Sequence, residues 1–148
     1  MTAIENSPGQ VLTATHAGGM RFTAEVRGHL IETDQPTDGG GADSAAMPLE
    51  LMGASLATCI ALYVHQFLAV RHLPTSGLRV DMASEMAHQP KRIGAFDVRV
   101  QLPDGVPEEY RERIERVAMS CPAHNTLTHP PEIRVSLESA DSPAALVG

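Results

Sequence analysis

From Pro48 to Val70 the chain is apolar on nearly every side, interrupted chiefly by Glu50, Ser55, Thr58, His65 and Gln66. The length of this run approaches a membrane span. Those polar residues, and the small transfer energies of its Ala and Gly, favour instead the core helix of a folded domain. Pro48 suits the helix start, where its missing N–H goes unused. A helix apolar all round needs cover all round, and a chain of 148 residues offers little of it. Gly53, Ala57 and Ala61 fall at i, i+4 and i+8, a stripe of small side chains that would let another helix approach closely. A symmetric partner can supply that cover.

Around this helix the sequence alternates with the period of half-buried strands. Val11–His16 is a first strand. Met20, Phe22, Ala24 and Val26 alternate with Arg21, Thr23 and Glu25 in a second, and Leu30–Thr33 pairs back after Arg27-Gly28-His29. Asp34–Ala46 is a loop whose glycines, Gly39 to Gly41, make it flexible or let the backbone pass close to something. Beyond the helix, Leu78, Val80 and Met82 form one apolar face, and Phe96, Val98, Val100 and Leu102 another. Pro107-Glu108-Glu109 reads as a helix first turn, with acidic residues at the positive dipole end. Tyr110, Ile114 and Val117 follow on one face, with Cys121 on that face or just past it, before Pro122 breaks the run. Ile133, Val135 and Leu137 make a last strand. The order β-β-β-α-β-β-α-β, with hairpins between helices, implies antiparallel sheet and an α+β fold. One domain over residues 1–148 is expected, loose at about 1–10 and again in a tail at about 139–148.

A net charge of −7 argues against nucleic-acid binding, which wants a basic surface. Two cysteines are too few for a secreted disulfide scaffold. The first residues, Met-Thr-Ala-Ile-Glu-Asn-Ser-Pro, lack the basic and apolar regions of a signal peptide. A cytoplasmic protein, bound to neither membrane nor nucleic acid, is the expectation.

Cys59 and Cys121, 62 positions apart, carry the chemistry. Each can be a small core hydrophobe. As a pair they can do peroxide chemistry, one sulfur attacking and the other resolving the oxidised product as a disulfide. A zinc site built from them with His65 and His124 lacks a Cys-x-x-Cys pair and suitable spacing, and no metal or other cofactor is expected. A Cys59–His124 hydrolase dyad lacks an orienting motif.

Pro48-Leu49-Glu50-Leu51-Met52-Gly53-Ala54-Ser55-Leu56-Ala57-Thr58-Cys59 resembles the central-helix motif of the OsmC/Ohr superfamily, and Cys121-Pro122-Ala123-His124-Asn125 its second-cysteine motif. Gly28-His29, then Asp34, Pro36 and Gly39–Gly41, resemble the lead-in of its OsmC-like (YhfA-type) branch. The resemblance implies an intertwined homodimer with antiparallel sheets around long central helices. It also implies a peroxidase in oxidative-stress defence: Cys59 attacks an organic hydroperoxide, Cys121 closes the disulfide, and a dithiol such as protein-bound lipoamide reduces it.

In the Ohr and OsmC branches a glutamate follows the proline directly and holds an arginine against the reactive cysteine. Here Leu49 stands in that place and Glu50 one residue later, a turn of about 100° on a helix. Glu50 and Arg21 are the supporting candidates. The Leu49 departure also supports an alternative from another class, a dimer of this fold that binds a small apolar ligand with little or no catalysis.

Overall fold

The computed structural model describes residues 9–139. Its first sheet has three antiparallel strands in sequence order: β1 (Thr13–His16), β2 (Phe22–Val26) and β3 (His29–Thr33). The β2–β3 turn places Arg27 at φ 52° and Gly28 at φ 79°, with Val26 facing His29. Two positive φ values give a two-residue turn the twist that flanking strands need, and glycine adopts one without cost. The Ala24 and Val26 face of β2 is half-buried, while Met20 and Phe22 are exposed. This sheet packs mainly on itself rather than on the helices.

The loop to the helix is built on Asp34, whose side chain is buried. Its carboxylate accepts the backbone N–H groups of Gln35 (2.8 Å), Ala42 (3.1 Å) and Ser44 (3.0 Å), and the Ser44 hydroxyl at 2.7 Å. These donors hold its pKa down to about 2. Of the two roles expected for the glycines, close approach is the one observed. A Cβ on Gly41 would lie 1.9 Å from the Gln35 carbonyl oxygen.

Helix α1 (Pro48–Ala69) begins with Pro48 in its first turn. Glu50 accepts the Met47 N–H at 2.8 Å, satisfying a donor at the helix entrance. Leu56, Ile60, Val64, Phe67 and Leu68 form its buried stripe. By length and composition α1 is apolar enough to cross a membrane. Within one chain the helix is not buried on every side: Leu49, Met52 and Leu62 are exposed. One two-stranded sheet and two short helices cover only part of a 22-residue rod. A Cβ on Gly53 would meet Met82 Sδ and Phe96 Cε1, each at 3.6 Å, so the missing side chain admits the chain's own sheet.

That sheet pairs β4 (Arg79–His88) with β5 (Lys91–Gln101), longer strands than the alternation alone indicated. Val80, Met82, Phe96 and Val100 pack against the helix core. A register shift at Glu85/Met86 leaves Gly94 without a cross-strand partner and sets Met86 opposite Ile93. The extra residue returns Ile93 to the face that Phe96 occupies.

After a 3-10 turn (Glu108–Tyr110) come α2 (Arg111–Ala118) and α3 (Pro122–Thr128). Ile114 is buried and Val117 half-buried, while the charged residues of α2 face outward. The expected strand at Ile133–Leu137 is not formed, and residues 131–139 carry no regular structure. Ile133, Val135 and Leu137 are 82 %, 83 % and 96 % exposed. A strand needs an edge to complete its hydrogen bonds, and no described strand of the same chain pairs with this segment. The termini expected to be loose lie largely outside the described residues.

Candidate functional site

Cys59 lies in the middle of α1, one turn from Leu56 and Tyr63 and beside Ile60, at the border of the buried stripe. It is half-buried. Cys121 comes from the other end of the chain. The apolar face of α2 is held on α1 by Ile114, and the chain then leaves the helix through Met119 and Ser120. Pro122 cannot extend α2 but is well suited to start α3. Cys121 therefore sits just past the α2 face, as the N-cap of α3, and is 0 % exposed. Its Sγ accepts the His124 backbone N–H at 3.3 Å.

The two sulfurs meet where α3 packs on α1. Cys59 neighbours Cys121 closely enough to shift its pKa, and both thiols are free. Burial pushes the Cys121 thiol pKa up. The N–H groups of His124 and Ala123 pull the other way, and the neighbouring Cys59 pushes it up further. The outcome is a partly accessible thiol beside a fully buried one that stays protonated. Two-electron oxidation of such a pair can form a disulfide between distant parts of the chain.

Within one chain, Glu50 and Arg21 are not brought to the thiols. Glu50 lies nine residues before Cys59 on α1, its carboxylate on the Met47 N–H. Arg21 pairs with Glu32 at 3.2 Å across the β2–β3 hairpin. Both are exposed. His65 is exposed as well, and among the described residues no cluster of His, Cys, Asp or Glu is placed to hold a metal.

Leu49 lines a different feature, a cavity of about 460 Å³ between the start of α1 and the β4–β5 hairpin. Gln35, Met47, Ser84, Met86, Lys91 and Ile93 complete most of its wall. Sequence reading did not find it, because the bulge at Gly94 that turns Ile93 inward has no period of its own. The anchoring job of Asp34 was missed too; an aspartate ahead of a Gly-rich loop was the available signal.

Residues 40–136 match the family described as OsmC-like protein. No curated protein matches the chain. Among solved structures, the chain is similar to an osmotic stress induced and detoxification response protein from Psychrobacter arcticus 273-4. The TM-score is 0.74 at 21 % identity, covering 82 % of this chain and 90 % of that one. It is also similar to an OsmC-like protein from Mycoplasma pneumoniae, with TM-score 0.67, 20 % identity, and 81 % and 87 % of the two chains covered. A third is an organic hydroperoxide resistance protein, OsmC, from Legionella pneumophila, with TM-score 0.58, 19 % identity, and 80 % and 88 % covered. At these identities the likeness shows the shared α+β fold.

Proposed function

Because this chain belongs to the OsmC-like protein family, we propose that it is a cytoplasmic thiol peroxidase that reduces organic hydroperoxides in oxidative-stress defence. The observation that carries this reading is the meeting of half-buried Cys59 with fully buried Cys121. The Cys59 thiolate attacks the distal peroxide oxygen. An S–O bond forms, the O–O bond breaks, and the alcohol leaves after taking up a proton. Cys59 is then a sulfenic acid. Cys121 attacks that sulfur, the S–O bond breaks, and water and a disulfide result. A dithiol, such as a lipoyl group on a protein, returns the pair to its reduced state. Leu56, Ile60 and Tyr63 around Cys59 favour a substrate with an alkyl tail, which gains from burial.

The working unit in this proposal is a homodimer. Its support is the apolar surface that one chain leaves uncovered: Leu62 on α1, the N-terminal sheet that packs mainly on itself, and the unpaired Ile133–Leu137 segment. A second copy buries all three.

The test is steady-state turnover of cumene hydroperoxide with a dithiol reductant. Wild type turns over and Cys59→Ser does not. Equal consumption by both proteins would refute the proposal. A second reading rests on the cavity beside Leu49, whose volume and largely apolar lining suit a small apolar ligand. It is favoured only if the thiols prove inert.

A further inference from the structure

His124 has no part in the scheme above, yet its ring is the one described group with a buried polar side-chain atom left without a partner. Nδ1 is buried and makes no hydrogen bond. Buried polar atoms are nearly always paired, so an unpaired one calls for an explanation. The same residue already touches the chemistry, because its backbone N–H rests on Cys121 Sγ at 3.3 Å. Nδ1 is four bonds from that nitrogen and stays within roughly 5 Å of it by covalent geometry. Nδ1 makes no bond to Sγ in the resting arrangement, and rotation about the first two side-chain torsions is the motion that would turn it toward the sulfur.

The resolving step needs a proton carrier at this place. Cys121 is fully buried and sealed from water, so its thiol proton has no solvent acceptor. The hydroxide leaving the Cys59 sulfenic acid needs a proton at the same moment. An imidazole can accept the first and deliver the second.

We propose that His124 carries the proton in disulfide closure, taking it from Cys121 Sγ on Nδ1 as the sulfur attacks and giving it to the departing hydroxide. The inference rests on the peroxidase reading. Atoms and electrons balance within the pair: the S–S bond forms, the Cys59 S–O bond breaks, the Cys121 sulfur is oxidised, the Cys59 sulfur is reduced, and water leaves. The titratable groups that α1 carries nearest the junction are Cys59 and, one turn on, Tyr63. His129, at the other end of α3, has its ring beside the Asn125 carbonyl and the Thr128 hydroxyl.

Rapid mixing with one equivalent of cumene hydroperoxide resolves the two steps, sulfenic acid formation and then closure, and each is followed from pH 5 to 9. His124→Asn puts an amide near the place of Nδ1 but cannot carry a proton. The inference predicts an unchanged first step and closure slowed by about 100-fold at pH 7. It also predicts a closure profile displaced to higher pH, and partial recovery with added imidazole. Closure at the wild-type rate and profile in His124→Asn would overturn the inference and leave the peroxidase reading standing. No consumption of the hydroperoxide by wild type would overturn both.

Discussion

Cys59 and Cys121 are 62 positions apart in sequence, yet the fold makes their thiols neighbours, one half-buried and the other fully buried. In the proposed scheme this asymmetry divides the work. The accessible sulfur can meet a substrate. The buried one is held protonated by its surroundings until an oxidised neighbour appears.

The first prediction separates those roles. Cys121→Ser should consume one equivalent of hydroperoxide per chain and stop, with Cys59 trapped as sulfenic acid. Mass spectrometry after dimedone labelling reads this directly. Continued turnover in Cys121→Ser at the wild-type rate would remove Cys121 from the scheme.

A second prediction concerns the loop ahead of α1. The Asp34 pKa is held down to about 2 in the folded chain, below the ordinary carboxylate value of 3.8. The folded state therefore favours the carboxylate. Its contribution to stability is fully present above the unfolded value and is lost as pH falls from about 4 through about 2. Asp34→Asn keeps the shape but loses the charge. Its melting temperature should lie below wild type at pH 7, and the gap should close toward pH 2. A gap independent of pH would contradict this assignment.

The third prediction tests the uncovered helix face. Leu62 is 51 % exposed in one chain. If a second copy covers it, Leu62→Glu places a charge in an apolar interface at a cost of several kcal/mol. Light scattering should then find a dimer for wild type and a monomer for Leu62→Glu. A wild-type monomer would refute the homodimer.

Much of this architecture was legible in the sequence. The strands announced themselves because each turns one apolar face inward every second residue, and Pro48 marked the start of α1. Pro122 separated α2 from α3 and so set Cys121 at a helix entrance. What could not be read depends on partners distant in sequence. Gly53 faces Met82 and Phe96 of its own sheet, and periodicity cannot tell which neighbour a small residue admits. Ile133–Leu137 alternates like a strand but finds no edge in its own chain. The case for Glu50 and Arg21 rests on resemblance, while locally the bonds they make are to the Met47 N–H and the Glu32 carboxylate. The meeting of the two thiols follows from α2 and α3 folding back on α1, which spacing alone does not specify.

The central claim is that Cys59 is a peroxide-reactive thiol resolved by Cys121. The most direct measurement is the loss of free thiols when reduced protein is rapidly mixed with cumene hydroperoxide and, separately, with hydrogen peroxide. The account predicts fast loss of both thiols with the organic substrate, slower loss with hydrogen peroxide, and no fast loss in Cys59→Ser. Slow loss with both oxidants would contradict it and turn attention to the cavity beside Leu49.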